Sequence, residues 1–231
     1  MYKKLEAINK NEHKNKGVEE VKDFSYSKKI INAPIAVSEF FEACKNYPIF
    51  FAKDKDEKWF ASVLLGYKEG ENIFVDEKGV WKELHYIPAF VRSYPFILVN
   101  QESKKELILA IDNEYLSDKK DAKKLFDEKG ENSEFLNSAL TFLNQFHADS
   151  LSTAKFVKQL EDLELLEEKS ATITKSEDEK YNLNGFFIVN EEKLRNLSED
   201  KKEKICSQNL YPLITAHLIS LSNIQKIGTI K

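Results

Sequence analysis

The chain has 231 residues, 42% of them hydrophobic and 32% charged, and its formal net charge is −4. The apolar share is enough for a sizeable core, and the near-cancellation of charge leaves no dominant basic patch of the kind nucleic acid requires. No apolar run approaches the ~20 residues of a membrane span, and the opening Met-Tyr-Lys-Lys-Leu-Glu lacks the apolar region of a secretory signal.

These bounds imply a cytoplasmic protein without a membrane span. Cys44 and Cys206 are the only cysteines and have no metal-ligand spacing. They read as buried free thiols of a reducing compartment. Of 35 basic residues only Arg92 and Arg195 are arginine. In a chain that uses Lys for solvated charge, an Arg points to its planar fork and its capacity to stack.

Residues 2–8 read as a short strand and 9–17 as a polar loop. Partial alternation over 24–31 predicts a second strand. Ser38 suits the N-cap of a short helix running to Lys45, with Phe40, Phe41 and Cys44 on its apolar face. Pro48 ends it, because the residue before a proline avoids the helical region. Residues 48–52 and 59–65 are β-like runs joined by a charged loop, which predicts an antiparallel hairpin. Residues 72–76 form a short buried strand or loop. A turn follows at 77–79, with Gly79 free to take positive φ. Residues 87–93 allow one helical turn. A second hairpin is predicted from 96–99 and 107–111.

Residues 119–129 are charged and looped. Phe135, Ala139, Phe142 and Phe146 then recur at helical spacing. A second helix is predicted to begin with a cap near Thr153, with Phe156, Val157, Leu160 and Leu163 inward. Residues 165–174 and 183–189 read as strands across an acidic loop. Short helices follow from Asn190 and from Lys201, with Asn209 at a left-handed C-terminal position. Pro212 suits the first turn of the last helix, which places His217 among Leu213, Ile214, Leu218 and Leu221. The whole predicts an α+β fold: an antiparallel sheet built from hairpins, with a C-terminal half rich in helices packed on it.

Residues 66–96 concentrate three of the seven Gly, two of the five Pro, one of the two Trp and Arg92. Such a segment is shaped by pinned dihedrals. Asn72, Asp76, Trp81, Tyr86, Arg92 and Tyr94 bring polar groups and amphipathic rings together and are the candidate ligand-binding residues. Trp81, Tyr86 and Tyr94 read equally as core aromatics with satisfied polar tips. Asp76 and Asp112 suit acid–base work, or Asx-turns and caps at strand ends. Arg92 is expected to pair internally with Asp76 or Asp112, so that Arg92→Lys destabilises the fold. The four His show no helical metal-pair spacing, and no metal or cofactor is implied; His147 and His217 read as core histidines. Among the Tyr-Pro bonds, Tyr94-Pro95 is the best placed for a cis bond, with trans the expectation at each.

The same stretch carries a family resemblance. Asn72-Ile73-Phe74-Val75-Asp76, Gly79 and Trp81, Tyr86-Ile87-Pro88-Ala89 and Arg92-Ser93-Tyr94-Pro95-Phe96 resemble the central signature of the SapC family, which is named for bacterial surface-array (S-layer) loci. Glu39-Phe40, Tyr47-Pro48-Ile49-Phe50-Phe51 and Ala216-His217-Leu218-Ile219-Ser220-Leu221 extend the match. Ser93 stands where the family pattern often has a second Arg. The resemblance runs from about Tyr2 to Ile227 and implies one domain over residues 1–231. It implies an accessory or binding protein of surface-layer biogenesis whose partner is a peptide or a surface-layer protein. Two alternatives stay open: an enzyme acting through Asp76, His85 and Arg92, and an exported surface-layer component.

Overall fold

Pro, Asn and Asp interrupt nearly every apolar run in the first half of the chain, so its elements are short. The computed structural model describes residues 1–101, 106–174 and 179–229. In chain order the first half holds β1 (Leu5–Ala7), α1 (Lys10–His13), β2 (Gly17–Val18), β3 (Asn32–Ile35), α2 (Phe40–Ala43), β4 (Ile49–Lys53), β5 (Trp59–Leu64), α3 (Ala89–Arg92), β6 (Phe96–Gln101) and β7 (Glu106–Asp112). The second half holds β8 (Leu116–Ser117), β9 (Lys123–Lys124), α4 (Glu134–Asp162), β10 (Leu166–Thr174), β11 (Lys180–Val189), α5 (Glu191–Arg195), α6 (Glu199–Ser207), α7 (Tyr211–Ser220) and α8 (Asn223–Ile227).

All strand pairs are antiparallel. The five-stranded sheet has the order β10-β11-β4-β5-β3, and two three-stranded sheets have the orders β1-β7-β6 and β8-β2-β9. The hairpins β4–β5, β6–β7 and β10–β11 form as predicted, so the α+β reading holds. Part of the acidic loop between β10 and β11 lies outside the described residues. The main core lies on the five-stranded sheet, where Phe51, Ala61 and Val63 meet Phe156, Val157 and Leu160 of α4 and Ile214 of α7. A second cluster joins Phe96 and Ile111 to Leu136 and Leu143 from the other half of α4.

Several expectations are corrected. Residues 24–31 are not a strand. Asp23 accepts from Ser25 N–H, the Ser27 hydroxyl donates to Phe24 O, and a 3-10 turn forms over Ser25–Ser27. The polar loop at 9–17 contains α1, which the Asn9 side chain caps. Ser38 does not cap the helix after it: a 3-10 turn over Val37–Glu39 leads into α2, and Phe41 faces solvent while Phe40 and Cys44 face inward. Thr153 does not start a helix. It lies within α4, a continuous helix of 29 residues, about 43 Å long. The hydroxyls of Ser150, Ser152 and Thr153 donate to carbonyls four residues earlier, which satisfies them inside the helix. An additional helix, α8, follows α7. Cys206 is exposed at the end of α6, where its neighbour Ile205 takes the inward position. The Tyr94-Pro95 bond is cis.

Candidate functional site

Residues 66–87 form a loop excursion fixed to the sheet by polar side chains. Asn72 is buried; its amide donates to Ser27 O and its carbonyl accepts from Phe74 N–H. Asp76 accepts from the N–H groups of Lys78 and Val80, an Asx-turn, and Gly79 follows at φ +84°. Val75 and Trp81 bridge across this turn. Trp81 is buried, and its indole donates to the Tyr47 hydroxyl at 3.2 Å; that hydroxyl donates in turn to Tyr86 O. Tyr47 thus ties the start of β4 to the second half of the excursion, at Trp81 and Tyr86. An open hollow of about 930 Å³ lies beside the loop, lined by Asn72, Asp76, Trp81, Lys28 and Glu83 among others.

At the tip, Leu84 stands at φ +60° and is 99% exposed. His85 N–H donates to Lys82 O across it. A leucine in the left-handed region carries a backbone penalty that glycine would not.

The second half of the signature builds a different structure. Glu39 is buried and accepts from Ala36 N–H, Ala89 N–H and the Tyr86 hydroxyl at 2.7 to 2.9 Å. Burial raises its pKa, and these donors together with the nearby Arg92 charge offset only part of that rise. Burial likewise pushes the Tyr86 phenol up to about 12, reinforced by the Glu39 charge. The Tyr86 oxygen also accepts from Arg92 Nη2 at 3.2 Å, and Arg92 Nε donates to Ile87 O at 3.0 Å. A buried carboxylate, a phenol and a guanidinium therefore run in line from the core to the surface. The guanidinium reaches the ring of Phe142 on α4, 5.2 Å from its centroid.

There Arg92 lines a groove of about 350 Å³ between α4, residues 18–21 and residues 92–96. Its apolar walls include Phe135, Ala139, Phe142 and Phe96. Lys123 lines it too, with its ammonium 5.5 Å from the Phe135 ring centroid.

The six predicted residues therefore do not converge. Asn72, Asp76 and Trp81 line the large hollow, Arg92 and Tyr94 line the groove, and Tyr86 lies behind them holding Arg92. The expected pairing of Arg92 with Asp76 or Asp112 does not form. Asp76 is spent on its turn, and Asp112 is fully buried, accepting from Lys3 N–H, Lys4 N–H and the Tyr94 hydroxyl. Burial alone would raise the Asp112 pKa, but those donors hold it below the usual carboxylate range. Among the described residues no hydrogen bond or ion pair joins Asp76, His85 and Arg92; His85 Nδ1 bonds Glu83 O instead. Glu39, Phe142 and Lys123 were missed as site residues. Arg92 was the signal for an aromatic neighbour such as Phe142, since an Arg in a Lys-rich chain points to its capacity to stack. The Glu39 site was not legible locally, because two of its three donors, Tyr86 and Ala89, lie 47 and 50 residues away.

Among the described residues no three His, Cys, Asp or Glu side chains come together as metal ligands, and no helix is long and apolar enough to cross a membrane. A family model described as SapC matches residues 8–227, nearly the whole chain. No curated protein and no solved structure matches it.

Proposed function

The chain belongs to the SapC family, and from that premise we propose that it is a binding or accessory protein of surface-layer biogenesis. In this reading it acts in the cytoplasm and recognises a peptide or small ligand without catalysis. The observation that carries the reading is Arg92. Tyr86 and Ile87 O fix its fork and Phe142 faces it, so it is presented to a groove with no carboxylate within ion-pair distance of it among the described residues. A preset cation beside an apolar pocket is a recognition element. Ligand-observed NMR with a set of short peptides and small organic acids tests it. Binding that is lost in Arg92→Ala, with every probe recovered unchanged, is the expected result. Turnover of a probe, or no binding to either hollow at millimolar concentration, would overturn it. Fractionation of cells should place the chain with cytoplasmic proteins; recovery in the surface layer would favour an exported component.

A second reading takes the partner to be a surface-layer protein, and one observation favours it: Leu84 keeps a strained backbone and a fully exposed apolar side chain. Leu84→Gly should melt at or above the parent temperature and lose co-purification with that partner. Unchanged co-purification would remove Leu84 from the contact.

A further inference from the structure

We infer that the groove between α4 and residues 92–96 is a site for a carboxylate carried on a compact apolar group. The inference rests on the binding reading above and names the ligand's chemistry. Three observations lead to it. The groove's volume of about 350 Å³ falls at the lower end of small-ligand pockets, about 300–1,000 Å³. Phe135, Ala139, Phe142 and Phe96 make its walls apolar, so an apolar group fills it. The charge on its walls is unbalanced. Arg92 and Lys123 both line it, each set over a phenylalanine ring, and neither has a carboxylate within ion-pair distance among the described residues.

The acidic side of the groove does not cancel them. Glu19 is already paired with Lys119 at 2.9 Å, which leaves Glu20 as the one carboxylate set against two cations. The contrast with Arg195 is instructive, because that arginine pairs with Glu191 one helical turn away. Arg92 spends Nε and one N–H of Nη2 on Ile87 O and Tyr86; its Nη1 is unengaged among the described residues. The guanidinium is thus oriented by neutral acceptors while its charge and its free edge are kept for a carboxylate that comes from outside. The buried Glu39 behind Tyr86 braces this orientation and is a positioning residue.

Two sources carry such a ligand: a peptide that ends in an aromatic or branched aliphatic residue, and a free arylalkanoic acid. The experiment uses the full chain and four probes: 4-phenylbutyrate, its primary amide, a tetrapeptide ending in free Phe, and the same peptide as its C-terminal amide. Affinities are measured by calorimetry, and the binding place is read from methyl and aromatic NMR shifts. Each acid should bind at least ~10-fold more tightly than its amide, with shifts at Phe135 and Phe142. Arg92→Lys should lose most of that difference, since it keeps the charge but not the fork. Lys123→Ala, checked for an unchanged melt, should weaken both acids and flatten their salt dependence. A peptide acid that binds while phenylbutyrate does not assigns the site to chain termini, and the reverse assigns it to free acids. Equal affinity for acid and amide, or Arg92→Lys and Lys123→Ala both binding like the parent, would overturn the inference. Shifts confined to Trp81 and Phe74 would overturn it while leaving the binding reading standing. No binding by any probe at either place overturns both.

Discussion

Replacing His217 with Gln should produce a stability deficit that closes as the pH falls. His217 is fully buried on α7; its Nε2 accepts from Val189 N–H at 3.0 Å, and its ring stacks on Phe51 at 4.5 Å. Burial pushes the imidazole down from its ordinary 6.5 to about 3, against the opposing pull of the Ile49 backbone. In the unfolded chain the residue binds a proton below 6.5, whereas in the folded protein it does so only near 3. Its neutral burial therefore contributes stability that is fully present above 6.5 and is lost as the pH falls through that window. Two pH units below 6.5, at 1.36 kcal/mol each, that loss is about 2.7 kcal/mol. Gln cannot protonate, and its amide oxygen can accept from Val189 N–H, so His217→Gln loses mainly the ring packing, about 1–3 kcal/mol at pH 7.5. Urea unfolding at pH 7.5 and pH 4.5 measures both. Carboxylates common to the two proteins cancel in the difference. The variant should be weaker at pH 7.5 and equal to or stronger than the parent at pH 4.5. A deficit that stays constant within about 0.5 kcal/mol would refute the claim that His217 is buried as the neutral ring.

Gly79→Ala should lower stability by about 1–3 kcal/mol, because a Cβ there would lie 2.4 Å from Ser25 Oγ and 2.7 Å from Asp23 Cγ at a φ of +84°. An unchanged thermal melt would show that the turn yields. Thr153→Val removes the acceptor of Val37 N–H, now bonded at 2.9 Å, and should cost about 1–3 kcal/mol for the stranded donor. A Thr153→Ser variant that keeps the bond should recover most of it. A thiol reagent should modify Cys206 rapidly in the native protein and Cys44 slowly, since Cys44 is buried and burial raises its pKa. The denatured, unreduced chain should count two thiols; a count of zero would reveal a disulfide.

The three hairpins were legible because each joins β-like runs through a loop of charged residues, a local signal. Gly79 and Asn209 were legible for a similar reason, since both take the positive φ that their residue types favour. His217 was placed correctly by its apolar neighbours along one helix. The continuity of α4 was not legible. Ser150, Ser152 and Thr153 look like a cap in one dimension, and only the two separate cores under the helix explain why it runs through. The alternation of Phe24 and Tyr26 mimicked a strand. Both rings are inward from an irregular turn, Phe24 against Trp81 and Tyr26 stacked on Tyr94 at 4.0 Å. The candidate site was half legible. Arg92 and Tyr94 do line a groove, but Asn72, Trp81 and Tyr94 spend their polar atoms inside the protein, and the groove needs α4, which begins some forty residues later.

The central strand β4 depends on groups from the far end of the chain. Ser220 supplies the acceptor for Ile49 N–H, and Asn223 donates to Cys44 O and Tyr47 O, across separations of 171 to 179 residues. On a ribosome, where the chain emerges over tens of seconds at about 5–20 residues per second, Ile49 N–H and the carbonyls of Cys44 and Tyr47 wait without these partners until α7 and α8 emerge. Nascent chains arrested before residue 220 should therefore hold the β4–β5 hairpin only loosely and be open to protease there. Closure of the central sheet is then expected late in synthesis, once residues 180–223 have emerged to meet β4.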